Sequence, residues 1–215
     1  KLKTTQGDAA GNAVLQRHHA MFRELLRRYK DAEEIEFTGD TFLVAFPKPS
    51  DAVRFALQLQ ENLRVLAAET AQPIADRIAI HTGEVMADDR EGSAQSRDLY
   101  RLQIAICTRL AAVAEPNQIL LPRSEFDHAR QVLQRQEAQA TKSVFWVNHG
   151  PYLLQESDEP VEISEVEQAP RAVLKPPRDS EKARRHRSPD DEPVLGWRPA
   201  AGQAVPHTHW ILDRK

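Results

Sequence analysis

The sequence predicts an α/β (α+β) fold in which helices cover one face of a mixed or antiparallel sheet. The first observation is that strand-like and helix-like segments alternate along residues 8–167. The second is that two strand pairs are separated only by short turns containing glycine, which is typical of antiparallel hairpins. The third is that 40% of the 215 residues are hydrophobic, which is enough to bury a core over part of the chain.

The first half of the chain is predicted to contain a helix, a hairpin, a second helix and a further strand. In order, these are a helix at 8–30, strands at 34–38 and 41–46, a helix at 51–69, and a strand at 77–87 that turns at Gly83. Asp8 and Ser50 are the expected N-caps, because their side chains accept hydrogen bonds from the free N–H groups of a first turn. The hairpin turns at Thr38-Gly39-Asp40, so a carboxylate stands at its tip.

The second half is predicted to contain one long helix followed by shorter elements. These are a polar loop at 88–97, a helix at 98–114, a buried strand at 118–122, a short helix at 124–134, and strands at 143–148 and 161–166. Pro116 ends the long helix, because proline lacks the N–H that a helix requires. The order of elements predicts a ferredoxin-like βαββαβ sheet. Such a unit needs a strand before its first helix, so we expect the chain to begin inside an ordered domain.

The composition of the chain changes near residue 168. Residues 168–196 combine repeated prolines and charges with no apolar period, which is typical of a disordered linker. Their basic run "KARRHR" stands next to "PDDE", which favours a solvated segment over a docking site for an acidic partner. The sequence therefore predicts a folded domain at 1–167, a Pro-rich charged linker at 168–196 and a further segment at 197–215.

Charge, cysteine usage and hydropathy exclude several classes of protein. The formal net charge is −3, and the strands lack the exposed aromatic residues and basic surface of nucleic-acid-binding sheets. The single cysteine, Cys107, excludes an internal disulfide framework and indicates a reducing, cytoplasmic location. No apolar run reaches the roughly 18 residues that a membrane span needs. No P-loop, CxxC pair or HExxH motif occurs.

Three blocks of sequence, in this order and spacing, carry a resemblance to a known family. They are "FTGDTFLVAFPKPSDAVRFALQLQ", "RIAIHTGEV" and a helix ending "TRLAAVAEPNQILL". Together they resemble the class III nucleotidyl (adenylate/guanylate) cyclase catalytic domain. The match extends over about residues 2–167, since "LKTTQGDAA" and "GPYLLQESDEPVEISEV" continue it at either end. The resemblance implies the class III cyclase fold.

The resemblance also implies a reaction. Cyclases convert a purine nucleoside triphosphate to a 3′,5′-cyclic nucleotide and pyrophosphate with two divalent ions, Mg²⁺ or Mn²⁺. Asp40 matches one of two metal-binding aspartates, and hard cations prefer such oxygen ligands. The other aspartate belongs to the family's first strand, which is expected before Lys1. The alternative for Asp40 is that it only favours the turn geometry.

Two further acids match positions that select the purine base. Glu36 matches a residue four positions before the metal aspartate, where a carboxylate can accept hydrogen bonds from guanine. Asp98 matches a residue at the start of the third helix, where an acid can accept from the adenine amino group. The two acids point to different purines, so ATP and GTP both stay open. The alternatives are an exposed strand charge for Glu36 and a helix N-cap for Asp98.

The third helix departs from the family pattern. Arg109 matches the arginine that neutralises developing phosphate charge, but Ala105 stands where the family has an asparagine that positions the ribose. Arg101 replaces a glycine, and "LQE" at 154–156 replaces "LKG", whose lysine can reach phosphate. Each lost transition-state contact typically costs about 10²–10³ in rate. Turnover is therefore expected to be weak or absent.

The last residues carry a second, short resemblance. "WILDRK" within 197–215 resembles the first strand that leads into the glycine-rich loop of a bacterial Ser/Thr protein kinase, although an amphipathic tail remains the alternative. Two functions follow. One is a nucleotidyl cyclase domain acting as a homodimer in signal transduction. The other is a catalytically inactive cyclase-homology sensor that dimerises and regulates a fused kinase.

Overall fold

In a computed structural model of the chain, the structure describes residues 8–83, 94–137, 144–155, 157–168 and 174–186, without the side chains of 8–10, 94–100 and 134–137. Its elements are α1 (Asp8–Leu26), β1 (Glu33–Thr38), β2 (Thr41–Ala45), α2 (Pro49–Thr70), β3 (Ile78–Ala79), α3 (Ala94–Val113), β4 (Ile119–Pro122), α4 (Arg123–Glu137), β5 (Val144–Leu154), β6 (Val161–Gln168) and β7 (Ala183–Arg185). All of them belong to the first of two compact units, residues 1–185 and 186–215. Across these ranges, no helix has the length and apolar character to cross a membrane.

The strands form two sheets. β1 and β2 form an antiparallel hairpin, and the other five lie in the order β3-β4-β6-β5-β7. β3 runs parallel to β4, whereas the remaining pairs are antiparallel. The predicted mixed α/β fold is therefore confirmed, and the predicted hairpin lies at the expected residues.

Helices cover both faces of the five-stranded sheet, which corrects the expectation of one covered face. Successive side chains of a strand point to opposite faces. Ile119 and Leu121 accordingly pack in a cluster with α2 and α4, whereas Leu120 packs in a cluster with α3. Because both faces are covered, every residue of β4 is buried. A short, fully apolar strand such as "QILLP" is typical of this situation.

Several element boundaries differ from the prediction. Helix α1 ends at Leu26 instead of residue 30, and helix α3 begins at Ala94, inside the predicted loop at 88–97. Strand β3 spans only Ile78–Ala79 of the predicted 77–87. Residues 84–87, the expected return strand, lie outside the described residues.

The start of helix α2 and the end of strand β5 differ as well. Helix α2 begins at Pro49 after the N-cap residue Lys48, and Ser50 is buried in the first turn instead of capping it. Proline is favoured at this position because its missing N–H would be unpaired there anyway. β5 extends to Leu154, beyond the predicted 143–148, because it pairs with β6 on one side and β7 on the other.

Part of the predicted linker is packed against the domain. The composition of 168–196 indicated a disordered linker, but β7 pairs with β5 and its Ala183 is only 1% exposed. The buried Tyr152 hydroxyl donates to Pro177 O at 3.0 Å, and Gln118 Nε2 donates to Lys175 O at 2.6 Å. The prediction of disorder is therefore wrong for 174–186. These contacts use backbone carbonyls, which composition does not reveal. The domain boundaries themselves remain predictions.

The Gln118 amide also belongs to a buried network. Its Nε2 donates to Glu165 Oε2 at 2.8 Å, and His149 Nε2 lies 2.7 Å from the same oxygen. Arg185 in turn donates to His149 O at 3.0 Å. Glu165 and His149 are almost fully buried, so their polar atoms depend on this network for hydrogen-bond partners. The network ties 174–186 to the centre of the sheet.

We predict that Ala183→Asp detaches this segment. The new carboxylate would be buried in an apolar cluster without a partner, which is strongly unfavourable. Trypsin should then cleave after Arg178 at least about tenfold faster than in the unaltered protein, measured by mass spectrometry over time. Glu181→Ala, at an exposed neighbouring position, should leave the rate unchanged. Equal cleavage of all three proteins would mean that 174–186 is not docked.

Candidate functional site

The β1–β2 hairpin carries two of the predicted site residues. Gly39 has φ +67°, a left-handed conformation that glycine adopts without strain, and it places Asp40 at the exposed tip. Glu36 lies on β1 beside a register shift in the pairing with β2. Its carboxylate accepts a hydrogen bond from Thr38 Oγ1 at 2.9 Å. The local sequence thus presents both acids at the same end of the hairpin.

Helix α1 holds the hairpin in position. Arg23 donates two hydrogen bonds to Glu34, from Nε at 2.9 Å and from Nη2 at 2.8 Å. This paired geometry lowers the pKa of Glu34. Phe22 stacks on Phe42 with ring centroids 3.9 Å apart, and the Arg23 guanidinium lies 5.0 Å from the Phe37 ring centroid. Because these contacts fix both strands, they also fix where the tip points.

A cavity of about 780 Å³ lies between the hairpin and β3. Glu36 and Asp40 both line it, so the structure brings these two predicted residues to one site. The walls are mostly apolar side chains of β2, β3, α2 and α3. Of the described residues that line it, the acids are Glu36, Asp40, Asp76 and Glu125, and Arg77 is the one Lys or Arg.

A buried polar cluster stands at the β3 end of the cavity. Glu125 is 3% exposed, and it accepts hydrogen bonds from Thr82 N at 2.9 Å, Thr82 Oγ1 at 2.5 Å and Ser124 Oγ at 2.5 Å. His81 Nδ1 lies 3.3 Å from Glu125 Oε1, and His81 Nε2 lies 2.6 Å from Gln103 Oε1. Since an amide oxygen only accepts, His81 donates through Nε2. The cluster joins β3, α3 and α4 at one point.

The cluster changes the acidity of both ionisable groups. Burial alone would raise the pKa of Glu125, but its contacts with His81, Ser124 and Thr82 lower that pKa to about 2. Burial alone would lower the pKa of His81, but Glu125 and Gln103 outweigh it, so the pKa of His81 is raised. An ionised Glu125 facing a readily protonated His81 is therefore the stable arrangement.

The other two predicted site residues lie on α3. Arg109 is partly buried and is not among the residues that line the cavity, whereas Cys107, Thr108 and Ala111 are. At 100° per residue, position 109 lies about 160° around the helix from Cys107 and from Ala111. Asp98 lies within the first turns of α3, and its side chain is outside the described part of the structure. One copy of the chain therefore does not bring Arg109 to the cavity with Asp40.

Asp40 is the residue predicted to bind a divalent ion. Its carboxylate supplies the oxygen donors that Mg²⁺ and Mn²⁺ prefer. Within 8–83, 94–137, 144–155, 157–168 and 174–186, no group of three or more His, Cys, Asp or Glu side chains is placed to hold a metal ion. The described residues therefore fit the role of a single ligand and do not complete a metal site by themselves.

Sequence reasoning missed Glu125. It follows Ser124 in the first turn of a helix, where acidic residues are common for local electrostatic reasons. Nothing in that pattern indicates burial or contact with residues more than forty positions away. His81 was visible as part of "RIAIHTGEV", but its partners Gln103 and Glu125 come from other elements.

Known proteins resemble this chain in sequence and in structure. The sequence profile of the family described as the adenylate and guanylate cyclase catalytic domain matches residues 5–146. The adenylyl cyclase CyaB from P. aeruginosa is 16% identical with a TM-score of 0.57, covering 80% of this chain and 89% of that chain. An adenylate/guanylate cyclase/hydrolase from Silicibacter pomeroyi is 21% identical with a TM-score of 0.50, and the match covers 72% of this chain and 85% of that chain. A Trypanosoma brucei adenylate cyclase is 18% identical with a TM-score of 0.50, and the match covers 74% of this chain and 79% of that chain. A comparison with curated protein sequences gives no match.

We predict that Glu125→Gln destabilises the protein in a pH-dependent way. The pKa of Glu125 falls from 4.5 to about 2 in the fold, so ionised Glu125 contributes stability above pH 4.5 that is lost as pH falls through about 2. The difference corresponds to about 3 kcal/mol at pH 7. Urea unfolding at pH 7 and pH 3 should show a smaller deficit for Glu125→Gln at pH 3.

Asp127→Asn is the matched control for this measurement. Asp127 lies on the same helix and pairs with Arg123 at 3.2 Å, but both side chains are about half exposed. Exposed ion pairs contribute about 1 kcal/mol or less. A Glu125→Gln deficit as small as that of Asp127→Asn would contradict the structural role assigned to Glu125.

Proposed function

Because the chain belongs to the adenylate and guanylate cyclase catalytic-domain family, we propose that it is a nucleotidyl cyclase domain with weak activity. It binds ATP or GTP and converts it to a 3′,5′-cyclic nucleotide and pyrophosphate. The observation that carries this proposal is the hairpin tip, where Asp40 and Glu36 line one cavity. These residues match the metal-binding and base-recognition positions of the family. The reaction is intracellular signalling chemistry, so we place the protein in the cytoplasm.

Divalent ions supply part of this chemistry when bound, because they acidify the attacking 3′-hydroxyl and neutralise triphosphate charge. Asp40 is the described residue with the chemistry to hold them. Glu36 can accept hydrogen bonds from the N1–H and amino group of guanine, and Asp98 from the amino group of adenine. Arg109 can neutralise charge on the phosphate, since a guanidinium donates two parallel hydrogen bonds to it.

We expect a homodimer to bring these residues together. Asp40 lines the cavity, whereas Arg109 is not among the residues that line it. In a symmetric dimer, the Arg109 face of one copy can stand opposite the Asp40 edge of the other. The separation within one copy thus supports a site shared between two copies.

The proposed turnover is weak because two positions lack the side chains that the family pattern has there. Ala105 has no group that can hydrogen-bond a ribose, although it lies one helical turn before Arg109. Gln155 is exposed on the turn after β5 and carries no charge for a phosphate, and Glu156 lies outside the described residues. At about 10²–10³ in rate for each lost contact, two losses leave little activity.

The same losses favour a second candidate function. A domain that binds nucleotide and dimerises, but does not turn it over, can regulate a neighbouring enzyme by changing which dimer forms. The resemblance of "WILDRK" to a kinase lead-in makes a fused Ser/Thr protein kinase the expected target. In this alternative, Asp40 and Glu36 serve binding alone.

We predict that Ala105→Asn raises turnover. The new amide would stand one turn before Arg109 and restore a ribose contact, so kcat should rise about tenfold or more. Cyclic nucleotide formed from ATP or GTP with Mn²⁺ is measured in a protein that includes the strand expected before Lys1. Ala13→Asn, at an exposed position of α1, should leave kcat unchanged. If neither protein forms product while nucleotide still raises the Tm, the regulatory alternative is correct.

We predict separately that Asp40→Asn weakens metal-dependent nucleotide binding. Asparagine preserves the turn conformation but removes the charge that holds a divalent ion. The rise in Tm produced by ATP or GTP with Mn²⁺ should fall by more than half, while the Tm without ligand stays the same. Asp31→Asn removes another exposed charge, which does not line the cavity, and it should retain the full rise. An unchanged rise in Asp40→Asn would remove Asp40 from the site.

A further inference from the structure

Helix α3 carries two of the predicted site residues, Asp98 and Arg109, and Gln103 lies between them. At about 1.5 Å per residue, Gln103 stands about 7.5 Å along the helix axis from Asp98 and about 9 Å from Arg109. A movement of α3 at Gln103 therefore displaces both residues together. The contacts that hold the helix at this point decide where the two side chains can act.

The buried apolar residues of α3 belong to its second half. Leu110 and Val113 are buried in a cluster with residues of the sheet. Toward the start of the helix, Arg101 and Leu102 are exposed. Apolar contacts are not directional, so this packing alone does not fix the rotation of the first half of α3. A directional contact near Gln103 would fix it.

The side chain of Gln103 makes such a contact with the segment that follows β3. Gln103 Oε1 accepts a hydrogen bond from His81 Nε2 at 2.6 Å. The side chain of His81 is only 14% exposed, and its Nδ1 lies 3.3 Å from the buried carboxylate of Glu125 on α4. Glu125 also accepts from Thr82 N at 2.9 Å, which holds the backbone next to His81. A continuous series of contacts thus joins α4, the segment after β3, and α3.

The backbone of Gly83 lies against the same side chain. A Cβ atom placed on Gly83 would lie 2.5 Å from Gln103 Cγ and 2.7 Å from Gln103 Cβ. Real Cβ atoms essentially never come closer than 3.0 Å to such a neighbour. Because the Cβ of Gln103 is bonded directly to the helix backbone, it cannot move away unless α3 moves. Glycine at position 83 therefore lets α3 approach this segment closely.

The rate of a reaction is sensitive to displacements of this size. A shift of about 1 Å in a catalytic geometry can cost about 10²-fold in rate. The hairpin that carries Asp40 is held separately, since Arg23 on α1 donates to Glu34 on β1. A disturbance at Gln103 should therefore displace α3 while Asp40 stays in place.

We propose that Gln103 and His81 are positioning residues for the cyclase reaction. Their hydrogen bond, together with the close contact at Gly83, sets where α3 holds Asp98 and Arg109. In this role neither Gln103 nor His81 touches the nucleotide. The inference rests on the proposed function and extends it, because the site residues named for that function include neither of the two.

Residual dipolar couplings, measured by NMR on the 215-residue chain without nucleotide, test the position of α3. Gln103→Leu removes the acceptor, so the couplings of the α3 N–H bonds should change beyond measurement error, while those of α4 and β6 stay the same. His81→Gln keeps a side-chain N–H donor and should leave the α3 couplings unchanged. Gln131→Leu, at an exposed position of α4, is the matched control. Unchanged α3 couplings in Gln103→Leu would overturn the proposal.

Gly83→Ala is an independent second variant. It leaves the side chains of His81 and Gln103 intact, but its methyl group needs the space that Gln103 occupies. The α3 couplings should therefore change in this variant as well. If Gln103→Leu fails to fold by circular dichroism, the couplings of Gly83→Ala decide the question in the same way.

Cyclic nucleotide formation with Mn²⁺ tests the consequence for the reaction. Gln103→Leu and Gly83→Ala should each lower kcat at least about tenfold, because Arg109 is displaced. The Mn²⁺ concentration that gives half of the maximal rate should change less than about twofold, because Asp40 stays in place. His81→Gln should lose less than about threefold in kcat. A displaced α3 with an unchanged kcat would overturn the positioning role.

The two measurements separate this inference from the proposed function. If the unaltered protein forms no cyclic nucleotide, the proposed turnover is wrong, and the couplings alone decide whether Gln103 and His81 hold α3. If Gln131→Leu loses as much kcat as Gln103→Leu, the loss is not specific to α3 and the proposal is overturned.

Discussion

The site depends on one apolar cluster that holds two separate sheets opposite each other. Phe22 of α1 packs with Phe55 and Leu59 of α2, and Phe42 of the hairpin and Ile78 of β3 pack against the same cluster. Among the described strands, no pairing joins the two sheets, so within this part of the chain side-chain packing sets their spacing. Close packing transmits small volume changes directly. The positions of Asp40 and Glu36 relative to β3 follow from this cluster.

Buried polar networks hold parts of the fold that the apolar cluster does not contact. Glu125 orders the end of β3 through Thr82 and His81, and Glu165 ties Gln118 to His149 in the sheet. In such networks the loss of one partner costs more than the pair itself contributes, because a buried group is left unsatisfied. Because hydrogen bonds are directional, these networks favour one arrangement of the helices and strands, whereas apolar packing alone is compatible with several arrangements.

Of the predicted site residues, Glu36 and Asp40 line the cavity, and Arg109 does not. The hairpin presents Asp40 and Glu36 through local turn geometry, supported by the Arg23–Glu34 contact. Because the hairpin carries both acids, their position depends on the local turn and on the contacts of the hairpin with α1.

Local patterns in the sequence were sufficient to predict the hairpin with Asp40 at its tip, the helices and the buried strand "QILLP". Turn preference and periodicity act over a few residues, so they can be read from the sequence. They also carried the family resemblance, which the profile match to residues 5–146 bears out. Only the tertiary structure decided that helices cover both faces of the sheet, that 174–186 is docked, and that Glu125 is buried against His81. Each of these depends on contacts between residues far apart in the chain, often through backbone atoms. Side-chain patterning does not encode such contacts, because every residue carries the same backbone donors and acceptors.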